Sequence, residues 1–364
     1  MDKTTIEEDV AVAVYRFPTP QPEADATLKW DSTTAVVVRV GAGGQLGTGW
    51  TYGSPAVAEV IHHHLAGILS GRSPFDTAAC WSAMHRACRN SGTKGIAAHA
   101  ISAVDIALWD LRARLLDIPV TQLLGAVRDR VPVYGSGGFV SLDEAGLTEQ
   151  VSLWHSVGCR AMKIKIGEDW GGNVGRDLAR VEQLRTLAGD EVELMVDANG
   201  GYSPGQARRV GEELDERGVT WFEEPVTSDD VQGLGIVRNA VRCDVAAGEY
   251  VYDTYDAADL LDGVDCLQLD VTRCGGYTGF LRGAALAASR GLDVSVHCAP
   301  APSAPVAAAI PNLRHVEWFI DHVRLEPLLV EGISQVVDGA MEVGREEPGH
   351  GMSIRSTAGQ YRIA

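Results

Sequence analysis

The hydrophobic pattern changes character once along the chain. Near the amino terminus TTAVVVRV (33–40) reads as a strand, GAGGQLG as a turn and GTGWTYG as the returning strand, so the first part is a mixed α+β unit. The glycine cluster resembles a dinucleotide loop, but such a loop opens a helix, whereas this one leads into another strand. A helix is predicted from Ile96 to Leu116, where Ile101, Val104, Leu108, Leu111 and Leu115 recur at spacings of three and four. Asp117-Ile118-Pro119 then stops it. Consecutive helical residues point about 100° apart, so the triple His62-His63-His64 is read as surface rather than as a metal site.

From about Val131 onward, short apolar strands alternate with helices, which implies parallel strands joined by crossovers. Eight candidates are VPVYGSGGF (131–139), AMKIKIG (161–167), VELMVDANG (192–200), TWFEEP (220–225), DVAAGEY (244–250), CLQLDVTRCGG (266–276), DVSVHCAP (293–300) and RHVEWFI (314–320). Their starts fall about 20 to 30 residues apart, the period of a (β/α)8 barrel. A doubly wound open sheet has a similar period and is the competing architecture.

What ends these strands carries the chemistry. The third closes with Asp197, the fourth with Glu223, the fifth with Glu249, the sixth with Asp270 and the seventh with His297. In a parallel barrel these ends open on one face, so residues distant in sequence become neighbours. Three carboxylates sharing a small site force at least one to protonate unless a cation sits between them. Oxygen-only ligands suit Mg²⁺, and a spacing of 26 residues from Asp197 to Glu223 and again to Glu249 supplies one ligand per βα unit. The plainer alternative is that each acid merely caps the next helix.

Lys163 and Lys165 are two apart and share a strand face, while Met162, Ile164 and Ile166 take the other. With helices packed on the apolar face, the lysines point into the barrel. The chain holds five lysines among 31 basic residues and otherwise uses arginine. A lysine beside another cation can have its pKa lowered toward neutrality, which arginine cannot; Lys165 is therefore expected to be a base. Asp270 on the neighbouring strand is expected to hold His297 as a second acid or base. Glu317 and Asn199 are candidates for hydrogen bonds to a substrate, as is Ser136 on slighter grounds. Together these groups suggest removal of a proton next to a carboxylate, with Mg²⁺ and Lys163 stabilising the enediolate and Lys165 or His297 taking the proton.

Composition narrows the alternatives. The chain has 364 residues, 45% hydrophobic and 22% charged, enough for one large barrel or two domains. A net charge of −18 repels phosphate backbones and acidic lipid, so nucleic-acid and membrane partners are not expected and a small carboxylate is. Seven scattered cysteines without a C-x-x-C pair are read as reduced thiols. The acidic start MDKTTIEEDV lacks the features of a secretory signal, and a cytoplasmic location is expected.

At these residues the chain resembles the enolase superfamily, specifically its mandelate racemase subgroup. The resemblance rests on AISAVDIALWDLRARLL (100–116), K-I-K at 163–165, VDANGGY at 196–202, WFEEP at 221–225, AAGEY at 246–250, the DVTRCGG run and SVHCAP. It implies an α+β capping domain (1–125), a modified TIM barrel (126–330) and a carboxyl-terminal segment (331–364) returning to the cap. It further implies Mg²⁺ on Asp197, Glu223 and Glu249, bases Lys165 and His297–Asp270, Glu317 as a hydrogen-bonding partner of the substrate carboxylate, and a homo-oligomer. The resemblance favours dehydration of an acid sugar to a 2-keto-3-deoxy acid, with racemisation or epimerisation of a 2-hydroxy acid next and lactone cycloisomerisation behind. The non-enzyme alternative is a barrel binding protein that has lost activity. Arg273 stands where mandelate racemase has a lysine, and the acidic loop PTPQPEADATLKW (18–30) offers no evident hydrophobic pocket, which disfavours mandelate itself. Specificity is expected in the loops around 18–30 and 48–53.

Overall fold

The structure, a computed structural model, describes residues 4–8, 10–344 and 346–364. Three antiparallel strands begin the chain: β1 (Ala11–Ala24), β2 (Lys29–Ala42) and β3 (Gln45–Tyr52). The turn at Gly43-Gly44 joins β2 to β3 as the glycine cluster predicts. The stretch 18–30 is different from its prediction as a loop. β1 runs through it, breaks register between Pro18 and Glu23, and then re-pairs Glu23 with Trp30 and Ala24 with Lys29. Prolines at 18, 20 and 22 donate no backbone hydrogen bond and masked this strand, but they are tolerated at a sheet edge. The turn itself is only Asp25–Leu28, where Asp25 Oδ1 accepts the N–H groups of Thr27 and Leu28, both at 2.7 Å. Residues 48–53 are likewise mostly strand.

Two long helices, α1 (Thr77–Cys88) and α2 (Ile96–Leu115), complete the cap. α2 buries Ile101, Val104, Leu108 and Leu111 completely against β2 and β3. The contact is so close that a Cβ on Gly49 would meet the Ala103 carbonyl oxygen at 2.2 Å, so only glycine fits there. His62, His63 and His64 are exposed.

The parallel strands follow as β4 (Arg130–Gly137), β5 (Ala161–Lys165), β6 (Glu193–Asp197), β7 (Val219–Glu223), β8 (Asp244–Ala247), β9 (Cys266–Leu269), β10 (Asp293–Val296) and β11 (Leu313–Phe319). β11 pairs in parallel with β4, Glu317 opposite Tyr134 and Phe319 opposite Ser136, which closes the barrel and excludes the open sheet. Its outer faces and the surrounding helices form the largest core. The tail divides. Ala340–Glu342 pairs antiparallel with the start of β4, while His350 reaches the cap, donating its N–H to Asp110 at 2.8 Å with its ring against the Thr48 carbonyl. All seven cysteines are unpaired and buried, and no helix among the described residues is long and apolar enough to cross a membrane.

Candidate active site

Inward-pointing side chains on the barrel strands form two tiers. Tyr134, Met195, Trp221, Ala246 and Cys266 make an apolar plug. Two residues further along β4, β6 and β7 stand Ser136, Asp197 and Glu223, all fully buried, because a strand's side chains repeat their direction every second residue. On β5 both Lys163 and Lys165 point inward, while Met162, Ile164 and Ile166 join the outer core. Glu249 falls one residue out of this phase. It is brought round by Gly248, whose φ of +134° and 2.2 Å approach of a built Cβ to the Gln268 carbonyl oxygen no other residue tolerates.

Asp197, Glu223 and Glu249 each present an oxygen, and these lie within 4.8 Å of one another. Lys163 Nζ donates to both oxygens of Glu223 at 2.6 Å and to Tyr134 Oη at 3.1 Å, and stands 3.0 Å from Glu317 Oε1. Lys165 Nζ pairs with Asp197 Oδ2. Opposite, His297 Nδ1 lies 2.9 Å from Asp270 Oδ2, and Nε2 lies 3.2 Å from Glu249 Oε2. Ser136 Oγ donates to Glu317 Oε1 at 2.6 Å, and the Cys298 N–H donates to Glu317 Oε2 at 2.8 Å. The Asn199 backbone N–H donates to Asp197 Oδ1 at 2.8 Å, and its side-chain oxygen is buried without a partner. Every residue singled out from the sequence therefore lies at this one mouth.

The crowding of acids has the expected electrostatic result. Burial, with Asp197 and Glu317 adding to it, pushes Glu223 up to about 8 despite Lys163. Burial and the neighbouring acids hold Glu224 far above the carboxylate range. Glu249 goes the other way: burial would raise it, but His297 and Arg273 outweigh that and hold it well below. A carboxylate cluster of this kind is completed by a hard cation, and oxygen donors from three strands fit Mg²⁺. His297, Cys298 and Glu317 form a second close group, but burial pushes the Cys298 thiol up to about 12 and Glu317 is already engaged, so it is a poor ligand set.

The expected lowering of the lysines is not found. Burial does work to lower both, but Glu223 and Glu317 hold Lys163 well above its ordinary value, and Asp197 does the same for Lys165. Facing carboxylates at contact distance outweigh the repulsion between the two ammonium groups. For His297, burial is likewise overcome by Cys298, Glu249 and Asp270, which raise it.

Four residues at the mouth escaped the sequence reading as site members. Glu224 has φ +36° and a buried, unpartnered Oε1; its only sequence signal is the doublet in WFEEP. Asp25 and His322 line the open cavity above the acids, and Cys298 Sγ lies 3.2 Å from His297 Nε2. Asn199, Glu224, Cys298 and Ala299 all have positive φ, and such strained non-glycine backbone concentrates at functional sites.

Residues 146–358 match the family model described as enolase C-terminal domain-like, and residues 9–125 match the mandelate racemase/muconate lactonizing enzyme N-terminal domain. The chain belongs to the mandelate racemase/muconate lactonizing enzyme family, within the enolase superfamily. It is similar to L-talarate/galactarate dehydratase of Salmonella typhimurium, 32% identical over 86% of this chain and 79% of that protein. It is also similar to 3,6-anhydro-alpha-L-galactonate cycloisomerase of Streptomyces coelicolor, 31% identical over 95% and 96%. Among solved structures, a family protein from Rubrobacter xylanophilus superposes with a TM-score of 0.95 at 41% identity, covering 99% of this chain and all of that one. A racemase from Streptomyces coelicolor with bound magnesium gives 0.92 at 30%, covering 98% and 100%.

Proposed function

We propose that this protein is a magnesium-dependent dehydratase of sugar acids, which removes the proton next to the substrate carboxylate and expels the neighbouring hydroxyl as water, leaving a 2-keto-3-deoxy acid. The observation that carries this reading is the placement of Lys165 and the His297–Asp270 pair on opposite sides of the Asp197, Glu223 and Glu249 cluster. Those three acids would hold the metal, and Mg²⁺ supplies Lewis-acid stabilisation of negative charge developing on the substrate carboxylate. Lys163 adds a fixed positive charge, and Glu317, held by Ser136 and Lys163, would in its protonated form donate a hydrogen bond to the substrate carboxylate. Asp270 holds the His297 ring by Nδ1 and leaves Nε2 toward the mouth. One of Lys165 and His297, in its neutral form, takes the α-proton, according to the handedness of the substrate; Lys165 would reach that form once Asp197, which holds its proton, is engaged by a cation. The other gives a proton to the departing hydroxyl; His297, kept protonated by Glu249 and Asp270, suits that second role. The dehydratase names among relatives, which include gluconate, arabinonate and galactonate dehydratases at 28–31% identity, support the choice of water loss.

A racemase or epimerase reading is favoured by the same two-sided arrangement, since two bases flanking one carbon can invert it. Incubating the protein and Mg²⁺ with a library of sugar acids in deuterated water separates the readings. Dehydration requires 2-keto acid formation; α-proton exchange with no keto product overturns it in favour of inversion.

A further inference from the structure

The open cavity at the mouth, about 360 Å³, has a reacting floor that includes Lys165, Asn199, Glu249 and His297, and a far wall built by the β1–β2 ribbon and the segment after β11. The charges on that wall are mostly negative. Asp25 spends one oxygen on the Thr27 and Leu28 N–H groups; its other oxygen accepts no hydrogen bond from the described residues. Asp321 accepts from Thr33 and Arg324, and Arg324 also donates to Glu23 at 2.9 Å, so this single guanidinium serves two acids.

The other cation on the lining beyond Lys165 is Arg273, and it is engaged. Its Nη1 lies 3.1 Å from Glu249 Oε1 and its Nε 3.3 Å from Asp270 Oδ2, with the Tyr250 ring beneath it. Lys29 lines a neighbouring hollow with Glu168 and does not line this cavity, although the two hollows share Asp25 and Leu28. Among the described residues that line this cavity, no lysine or arginine stands on the far wall to meet a second carboxylate.

His322 supplies the complementary observation. It is 6% exposed, stacked on Tyr52 with ring centroids 3.9 Å apart, and its Nδ1 accepts the Ala299 N–H at 2.8 Å. That bond fixes the proton on Nε2. Nε2 has no acceptor among the described residues, although the ring lines the cavity. A free acceptor on Asp25 and a neutral donor on His322 match hydroxyl groups, which both give and accept a hydrogen bond.

We infer that the substrate is a monocarboxylic sugar acid with an uncharged hydroxylated tail, read by Asp25 and His322, and that Asp25 excludes dicarboxylic acids by like-charge repulsion. This rests on the proposed α-proton chemistry and narrows its substrate class; relatives are named for acids of both kinds.

The test compares galactonate with galactarate, and gluconate with glucarate, each with the protein and Mg²⁺ in deuterated water, following α-proton exchange and keto acid formation. A preference in kcat/KM for the monoacid of about 100-fold is expected for an uncompensated like charge. Asp25→Asn should cut that preference about tenfold by lowering the diacid KM, and Asp25→Ser, which keeps a side-chain acceptor for the turn, should do the same. His322→Phe should raise the monoacid KM about tenfold with kcat little changed. Diacid turnover equal to or above monoacid turnover, or a preference unmoved in both folded Asp25 variants, overturns the inference alone. Exchange with neither class overturns the α-proton reading and this inference with it.

Discussion

The lower and upper tiers of the barrel interior are built by the same strands, two residues apart, and obey opposite rules. Trp221 closes the lower tier with its ring among Tyr134, Met195 and Cys266, while Glu223, one pleat higher, is fully buried among acids and a lysine. The lower tier is stabilised by removal of apolar surface from water, worth about 25 cal/mol per Å². The upper tier buries charge at a cost of several kcal/mol per ion before pairing. A protein keeps such a tier for its chemistry, and the contrast predicts that the two respond oppositely to substitution.

The largest effects should come from the upper tier. Asp197→Asn, Glu223→Gln or Glu249→Gln should each reduce turnover about 10⁴-fold or more. Without metal, Glu223→Gln should melt at or above the temperature of the parent, since burial and the neighbouring acids already raise that carboxyl, whereas Glu249→Gln should melt lower, since it leaves His297 and Arg273 without their acid. Mg²⁺ should raise the parent's Tm through preferential binding to the folded state, and this rise should vanish in the variants. Calorimetry with and without chelator checks both; a large drop in the metal-free Tm of Glu223→Gln would break the contrast.

His297→Asn and Lys165→Ala should each slow turnover by about 10²–10⁴-fold. Single-turnover exchange in deuterated water should survive in only one of the two for a given substrate, because each base faces one side. In the lower tier, Trp221→Ala should cost about 3–5 kcal/mol of stability by urea unfolding. Trp221→Phe keeps most of the plug but removes the 2.9 Å hydrogen bond from the indole N–H to Glu223, so it should weaken Mg²⁺ binding more than it lowers stability.

A buried acid away from the mouth sharpens the comparison at smaller amplitude. Asp105 on α2 accepts the N–H and hydroxyl of Thr278, yet burial raises it to about 7. Between pH about 4 and 7 the folded state then binds more protons than the unfolded chain, so this group's contribution falls as pH rises, by at most about 1.4 kcal/mol per pH unit. Asp105→Asn should flatten that slope in urea titrations across the window. The smallest effect is expected at the surface, where Asp143 accepts the Gly146 N–H at the start of the helix Glu144–Ser156; Asp143→Ala should cost about 1 kcal/mol.

The barrel was legible because its signals are periodic. Eight apolar strands recur at a nearly regular interval, and an alternation as short as Met162-Lys163-Ile164-Lys165 already says which face is inward. The gathering of Asp197, Glu223 and Glu249 was legible because acids end successive strands. What was not legible depends on contacts between distant segments. The β1–β2 ribbon is held by a register shift that its prolines disguise, and Asp25 reaches the mouth only because that ribbon folds over it. His322 looks like any helical histidine until the Ala299 N–H fixes its tautomer. The pull of the acids on the lysines was hidden for the same reason: the sequence shows which charges share a strand, while the carboxylates facing Lys163 and Lys165 lie on other strands.

The ribbon that overhangs the mouth belongs to the cap sheet but is fastened to the barrel, with Trp30 edge-on against Phe139 and the Val140 N–H donating to the Ala24 carbonyl at 2.9 Å. On the proposed reading, the wall that would choose the substrate is thus seated directly on the ring that would react with it. Residues 18–30 cannot drift or lengthen freely, and a lineage that changes what it consumes must do so around these few fastenings.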